Sequence, residues 1–314
     1  MTIFLNYLLQ VKVLLVDGYS NHKKSHIRIL RLIANRPDFL LPFRQKAPTI
    51  EQALSTIYVV RDRLLRPEGL WNILMFRGVT YGSPYAKYDL QWFDTCEEWT
   101  RYFTESEDSV ENKSKSKDDP PDTPEDKKMR YFVNISAYGF NNIHRTLENI
   151  PVYWEERDRW TSFMKGKPGV KETYRFLTNS KGTGKKIFPN IGSLTALLVC
   201  GDLIEMEILD MPAIEDWAKL IHHVQKGATM GLQALTLLGE KFTEEEVVDA
   251  FTQLHAFLLE NLSEEDQELM GYNIVMLEHA LCKFTRILTN AEKAKSTHKK
   301  KPHKKRSSKK LKST

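Results

Sequence analysis

Residues 188–192, FPNIG, form a turn-like segment that leads directly into the helical sequence SLTALLV at residues 193–199. An apolar-Pro-x-apolar-Gly turn followed by Thr-Ala and apolar residues is typical of a helix-hairpin-helix element. The first N–H groups of a helix have no partner within it, and the helix dipole adds positive charge there. We therefore expect Gly192, Ser193 and Thr195 to contact a nucleic-acid phosphate, with Gly192 allowing close approach. A glycine in an ordinary turn between two helices is the alternative.

Two lysines, Lys185 and Lys186, immediately precede this turn, and Lys181 lies close by in the sequence. Together with neighbouring glycines they predict a flexible basic loop suited to phosphate contact, although a plain solvated loop fits the same residues. The phosphate-binding loop of kinases requires GxxxxGK followed by Ser or Thr, and here Asn179 and Lys186 occupy two of those positions. The sequence therefore does not indicate kinase activity.

Helix signals recur along the chain. Thr49 with Gln52, and Thr243 with Glu246, have the spacing of capping boxes, and apolar residues follow both pairs at intervals of three and four. These patterns predict two amphipathic helices that begin at the two threonines.

A third helix is expected to begin near Ser263 or just after Gly271 and to continue through residue 287. Strand signals are weak, because residues 11–16 and 131–135 have extended character but no recognisable partner strands. The chain is therefore predicted to be all-α.

The net charge of +5 is unevenly distributed. Residues 291–314 contain eleven Lys or Arg and one Glu, whereas the preceding 290 residues contain 35 basic and 40 acidic residues. With so little to bury, the C-terminal segment is predicted to be disordered. Its basic run at residues 299–306, KKKPHKKR, is typical of a nuclear-import signal or a nonspecific nucleic-acid arm, and a solubilising tail is the alternative. We therefore expect a nuclear location.

Residues 104–128 are rich in Ser, Asp, Glu, Lys and Pro and lack apolar periodicity, so we predict a disordered polar insert there. The insert separates an N-terminal helical part, residues 1–103, from a second helical part, residues 129–290, which contains the turn. The basic tail of residues 291–314 follows.

Several classes of protein are disfavoured by the composition. The three cysteines, Cys96, Cys200 and Cys282, lie far apart, so we expect a reducing intracellular setting and no disulfide framework. The scattered histidines lack a third ligand at metal spacing, and we expect no metal or cofactor. The apolar residues 3–16 are interrupted by polar ones and are fewer than the about 20 that span a bilayer. A core helix or strand is expected there, with no membrane association and no signal peptide.

The turn belongs to a longer series of five motifs along the chain. They are residues 188–199, Asp202-Leu203, PAIEDW at 212–217, KGATMGL at 226–232 and LEHALCKF at 277–284. In this order they resemble the helical domain of the 5-hydroxymethyluracil DNA kinases and the related alpha-glutamyl/putrescinyl thymine pyrophosphorylases. IYVVRDR at 57–63 and ILMF at 73–76 are similar to two further blocks of that superfamily. After Phe76 the chain departs from the family pattern, and Lys283 stands where the family commonly has an acidic residue.

The resemblance implies a DNA-glycosylase-like helical fold and a protein that engages DNA. It implies base hypermodification, in which an amine replaces an activated group on a 5-hydroxymethyluracil-derived base, or a DNA-binding role beside a kinase or oxygenase of the same pathway. Lys226, which begins the KGATMGL motif, joins Lys185 and Lys186 as a candidate DNA contact.

The candidate catalytic groups are Asp210, Glu278 and His279. In helix-hairpin-helix glycosylases a catalytic Asp follows the hairpin at a spacing that Asp210 matches, although Asp210 is also suited to cap the helix after Pro212. Glu278 would act as an acid or base, and His279 as a proton shuttle or as a satisfied core imidazole. Leu194 occupies the place of the lysine nucleophile of bifunctional glycosylases. A noncatalytic DNA-binding module and a monofunctional glycosylase are therefore the alternatives to base hypermodification.

Overall fold

The computed structural model describes residues 1–106, 123–134, 142–182 and 184–299. Helices dominate these residues, and no strand occurs among them, although an isolated β-bridge joins Ser180 to Lys186. The prediction of an all-α chain is therefore confirmed. A glycosylase-like arrangement with a helix-hairpin-helix element stays a prediction.

The helices are mostly short and follow one another closely. In the first part of the chain they are α1 (Thr2–Asp17), α2 (Tyr19–His22), α3 (Arg28–Asn35), α4 (Pro37–Leu40), a 3-10 turn (Arg44–Lys46), α5 (Pro48–Leu54), α6 (Arg61–Leu64), α7 (Pro67–Met75), a π-helical turn (Phe76–Thr80), α8 (Pro84–Tyr88), α9 (Cys96–Glu105) and α10 (Pro124–Phe132). In the second part they are α11 (Ile143–Leu147), α12 (Asn149–Glu155), α13 (Asp158–Met164), α14 (Val170–Thr178), α15 (Ser193–Glu205), α16 (Ile214–Val224), α17 (Ala228–Ala234), α18 (Glu244–Asn261), α19 (Glu264–Met270) and α20 (Ile274–Lys299).

Local capping signals set the ends of the later helices. The Thr243 hydroxyl accepts a hydrogen bond from the Glu246 N–H, and the Glu246 carboxylate accepts one from the Thr243 N–H, so this capping box is confirmed. Ser263 caps α19 in the same way through the N–H of Asp266. Gly271 then ends α19 in the left-handed conformation, and α20 begins at Ile274. Both predicted starting points therefore begin a helix.

The capping box predicted at Thr49 is wrong. Helix α5 begins one residue earlier, at Pro48, because proline fixes a helical φ and needs no N–H partner in the first turn. The Thr49 N–H instead donates to Asp38 Oδ1 at 2.7 Å. The predicted helix also stops at Leu54, and Val60, which the periodicity placed on its apolar face, is 42% exposed.

The first segment with extended character is helical, and the second is helical only at its start, since Val133 has extended backbone. Residues 11–16 lie within α1, whose apolar face buries Phe4, Leu8 and Val11 completely. Tyr131 and Phe132 end α10. The helix alternative for the N-terminal segment is therefore correct.

Helices occupy both ends of the segment predicted to be a disordered insert. Helix α9 continues to Glu105, and α10 begins at Pro124 behind a capping box formed by Thr123 and Asp126. That box, with proline in the first turn, stabilises a helix despite the polar composition. The helix α20 likewise continues through residue 299 into the predicted tail, because Ala, Lys and Glu propagate a helix well. Residues 107–122 and 300–314 lie outside the described residues.

The two parts of the chain on either side of the insert share one hydrophobic core. Trp71 of α7 is fully buried and donates to the Ile150 carbonyl of α12, at 3.0 Å. Trp160 of α13 is fully buried as well and donates to the Leu64 carbonyl of α6, at 2.8 Å. Each tryptophan therefore crosses between the N-terminal part and the part after residue 128.

Two glycines of the KGATMGL motif let α17 approach α20 closely. A Cβ on Gly231 would lie 2.8 Å from the Leu281 carbonyl oxygen, and one on Gly227 would lie 2.9 Å from Cys282 Sγ. Gly227 also has a φ of +66°, which disfavours any residue with a side chain. Packing alone therefore explains both glycines of this motif.

Candidate functional site

A buried carboxylate, Asp202 of α15, lies at the centre of the polar residues inside the core. It is 2% exposed and accepts hydrogen bonds from Arg44 Nη2 at 2.6 Å, from Arg77 Nε at 2.5 Å and from the Tyr58 hydroxyl at 2.7 Å. Arg77 Nη2 completes a bidentate contact with the same carboxylate. Burial alone would raise the pKa of Asp202, but the positive charges of Arg77 and Arg44 outweigh it and hold the pKa below its ordinary value.

The backbone on either side of Asp202 positions its arginine partners. Arg77 belongs to the π-helical turn that continues α7, a geometry that is frequent at functional sites. Arg44 belongs to the 3-10 turn and approaches α15 at Gly201, where a Cβ would lie 3.1 Å from Arg44 Nη2. Glycine at 201 is therefore what allows the guanidinium to reach Asp202.

Arg44 connects Asp202 to a second buried carboxylate. Its Nε donates to Glu205 Oε2 at 3.1 Å, and its Nη2 also donates to the Leu198 carbonyl at 2.7 Å. Burial raises the pKa of Glu205, since one guanidinium shared between two carboxylates compensates only part of the lost hydration. Glu205 Oε1 has no hydrogen-bond partner in the described part of the chain.

Helix α20 adds three buried ionisable residues from the LEHALCKF motif. Glu278 is 3% exposed and makes no hydrogen bond with any described residue. Its burial raises its pKa to about 7, although Arg44 and Lys283 oppose the shift. Burial also lowers the pKa of Lys283 to about 7, and the Lys283 ammonium donates to the carbonyls of Asp38 and Phe39 at 3.0 and 3.1 Å.

His279, the third of these residues, is 8% exposed. Burial lowers its pKa well below the ordinary value, and the charges of Lys283 and Arg44 add to this effect. The imidazole is therefore neutral, and its buried Nε2 has no partner among the described residues. A neutral imidazole and a carboxyl group that titrates near neutrality are both residue types suited to proton transfer, and here they lie on one helix.

The structure does not bring Asp210 to this cluster. Asp210 is exposed and forms no hydrogen bond or ion pair with the residues that the structure describes, whereas Glu278 is buried. Asp210 does not cap the following helix either, because Ala213 is the N-cap residue of α16 and no side chain caps it. Of the three candidate catalytic residues, Glu278 and His279 alone are therefore adjacent.

The turn of residues 188–192 ends where α15 begins. Gly192 is the N-cap residue, with φ −89° and ψ 179°, and no side chain caps the helix. The N–H groups of Ser193, Leu194 and Thr195 consequently have no acceptor among the described residues. The left-handed residue of this turn is Asn190, at φ +63°, so Gly192 is not required for backbone conformation.

The three candidate lysines differ in their contacts with this helix start. Lys186 is exposed and donates from Nζ to the Ile191 carbonyl at 3.0 Å, which holds its charge beside the first turn of α15. Lys185 is exposed in the loop that the Ser180–Lys186 bridge closes. Lys226 is exposed directly before α17, and no described contact connects it to α15.

Sequence reasoning missed part of the buried cluster. Arg44 and Glu205 belong to no motif, and Arg77 lies where the chain departs from the family pattern. Tyr58 and Asp202 lie within motifs, but the sequence assigns neither of them a role. Arg44 meets Asp202 across 158 residues of sequence, and no local pattern marks such a contact.

Comparisons with protein-family models, curated proteins and solved structures gave no significant match to this chain. The resemblance to the DNA-base hypermodification superfamily therefore depends on its motifs alone. Among the described residues, no group of His, Cys, Asp or Glu is arranged to hold a metal ion. No described helix is both long and apolar enough to cross a membrane.

Replacing Arg77 by Met is expected to lower the free energy of unfolding by about 3–5 kcal/mol, because it leaves the buried Asp202 carboxylate short of a partner. Arg61→Met is the matched control, since the Arg61–Glu207 pair is exposed and contributes at most about 1 kcal/mol. Urea unfolding of both variants measures the difference. Equal, small losses would contradict a structural role for the Asp202 cluster.

The pKa of Glu278 predicts a pH dependence of stability. A folded-state pKa near 7, above the ordinary 4.5, means that folding binds a proton between these values, so ionisation at higher pH destabilises the fold. Between pH 5 and pH 8, Glu278→Gln should gain stability relative to the parent by about 3 kcal/mol for the full shift. Glu260→Gln, at an exposed position of α18, should follow the parent. Parallel curves for all three proteins would refute the raised pKa.

Proposed function

We propose that this protein binds DNA and acts on, or accompanies, the modification of 5-hydroxymethyluracil-derived bases. The observation that supports this proposal is the meeting of motifs that lie far apart in the sequence. Tyr58 from the IYVVRDR block hydrogen-bonds Asp202 from the block after the turn. The ring of Phe76, from the ILMF block, lies against Tyr58 with centroids 6.1 Å apart. Residues that define the resemblance thus contact one another at one place.

The LEHALCKF block supplies the groups suited to chemistry at this place. Arg44 hydrogen-bonds Asp202 and its charge also acts on Glu278 and His279. A carboxyl group with a pKa near 7 exists in both protonation states at neutral pH, as a general acid or base requires. Any reaction on a duplex base first needs the nucleotide to leave the stack and enter a pocket. Glu278 is the residue that we assign to proton transfer on such a base, with His279 as the next residue of α20.

The start of α15 supports DNA binding. Three N–H groups at the start of this 13-residue helix have no acceptor in the described part of the chain, and the Lys186 ammonium lies beside them. A phosphate oxygen bound there would accept hydrogen bonds from these N–H groups and would interact favourably with the positive end of the helix dipole. Asp202 lies on the same helix, so the arginines that hold its carboxylate also hold the phosphate site in place.

A noncatalytic DNA-binding module is the second candidate, and the burial of the cluster favours it. Asp202, Glu278 and His279 are each less than 9% exposed, so a base reaches them only if the surrounding helices separate. Lys283 bonds two backbone carbonyls, which is a structural role, at a position where the resembling family commonly has an acidic residue.

Duplexes containing 5-hydroxymethyluracil, its phosphorylated and pyrophosphorylated forms, or an ordinary mismatch distinguish these functions. The full chain is incubated with each duplex and a panel of amines, and the nucleosides are identified by mass spectrometry. Amine addition to an activated base, abolished in Glu278→Gln, is the result expected for hypermodification. Binding without any altered base indicates the accessory module. Release of a free base that depends on Asp210 indicates a glycosylase.

Gly192→Val tests the phosphate site without disturbing the fold. The extended backbone of Gly192 suits valine, and the nearest atom to an added Cβ is Lys186 Nζ, at 3.9 Å. The side chain would nevertheless stand in front of the free N–H groups, so DNA binding should weaken by about 1.5–3 kcal/mol. Thr195→Ala, one turn further along the helix, should cost less. Circular dichroism and DNA titrations are run on the same samples. If Gly192→Val folds normally and binds DNA like the parent, the turn has only a structural role.

A further inference from the structure

The body of the protein contains a basic surface that lies apart from the turn and the tail. Residues 23–36 include five Lys or Arg and no acidic residue, and all five are exposed. They are Lys23, Lys24, Arg28, Arg31 and Arg36. None of them forms an ion pair with any residue that the structure describes. Five uncompensated charges therefore face solvent within a short stretch of chain.

Hydrogen bonds join α3 to the turn that precedes it. Arg31 Nη1 donates to the Ser25 carbonyl at 3.2 Å, and Asn35 Nδ2 donates to the Lys23 carbonyl at 3.0 Å. The turn that contains Lys23 and Lys24 is thereby fixed against the helix. Arg28 and Arg31 lie three positions apart in the helix, so their side chains leave it on neighbouring sides.

An aromatic contact joins this surface to the helix that leads into the basic tail. The Phe39 ring lies beneath the guanidinium of Arg36 at 4.5 Å and that of Arg286 at 4.6 Å. Arg286 belongs to α20 and also donates to the Phe39 carbonyl at 3.4 Å. The eleven basic residues of positions 291–314 follow Arg286 along the same chain. The basic surface, defined as the five residues above with Arg286, thus includes one residue of α20.

The loop before the turn carries fewer unpaired cations than this basic surface. Lys181 forms an ion pair with Glu156 at 2.7 Å, whereas Lys185 and Lys186 form none with any described residue. A cation with a carboxylate partner releases fewer counterions when it meets a phosphate than an unpaired cation does. The basic surface is therefore the stronger source of charge for a polyanion.

We propose that the basic surface binds the phosphodiester backbone of DNA as a nonspecific contact. This inference rests on the proposed function, since it assigns a second contact area to the same partner. Four of the six residues are arginines, which match phosphate oxygens with paired N–H groups. A membrane surface fits less well, because membrane-bound amphipathic helices expose an apolar face, whereas Leu30, Ile33 and Ala34 of α3 are buried in the core.

The test uses the full chain and the salt dependence of its binding to a duplex of random sequence. The triple variant Arg28→Gln, Arg31→Gln, Arg36→Gln should lower the slope of log affinity against log salt concentration by about 0.9 for each phosphate that the protein no longer neutralises. The control Arg61→Gln, Arg63→Gln, Lys171→Gln removes the same charge from residues that are ion-paired elsewhere. That control should keep a slope close to that of the parent. Arg28→Lys, Arg31→Lys, Arg36→Lys, which keeps the charge, should also keep the slope.

Thermal unfolding of every variant separates weaker phosphate binding from impaired folding. The glutamine variant could have a lower unfolding temperature than the parent. In that case the salt dependence is compared for the lysine variant and for the single variant Arg28→Gln, because the Arg28 side chain forms no described hydrogen bond. A slope equal to that of the parent or of the control overturns the inference and leaves DNA binding at the turn intact. A parent that does not bind duplex DNA overturns the proposed function itself. If the glutamine variant loses binding to phosphatidylserine vesicles but binds DNA like the parent, the basic surface is a membrane contact and the inference is also overturned.

Discussion

One buried carboxylate, Asp202, orders the polar interior of this helical protein. It receives hydrogen bonds from two guanidiniums and one phenol that come from three separate short elements. Removing a carboxylate and two guanidiniums from water costs several kcal/mol for each ion, so the arrangement is stable only when every partner is present. The 3-10 turn, the π-helical turn and the segment before α6 are consequently tied to α15.

The same constraint positions the residues suited to function. Arg44 and Arg77 pair with the buried carboxylates of Asp202 and Glu205. Asp202 accepts most of these hydrogen bonds, whereas the Glu278 carboxyl accepts none from the described residues, and its pKa is near 7. Helix α15 extends from Asp202 to its start at Ser193, where the first N–H groups have no acceptor among the described residues.

Sequence reasoning predicted the features that local chemistry determines. The helical class, the capping box at Thr243 and the helix starts at Ser263 and after Gly271 follow from neighbouring residues alone. It failed at Thr49, where a proline one position earlier decides the helix start, and it could not find Arg44, whose partner is distant in sequence. The basic surface was also missed, since a charge count cannot show which cations lack an acidic partner. Glu278 and His279 were predicted from a motif, but their burial and altered pKa values depend on packing.

The central claim is that a DNA phosphate binds at the start of α15, the helix that also carries Asp202. Amide hydrogen exchange of the full chain, measured with and without a saturating duplex, tests this claim most directly. The amides of residues 193–195 have no acceptor among the residues that the structure describes, so they should exchange rapidly in the free protein. Bound phosphate should slow their exchange, together with that of neighbouring amides in the turn. Unchanged exchange at residues 193–195 in a saturated complex would contradict the account.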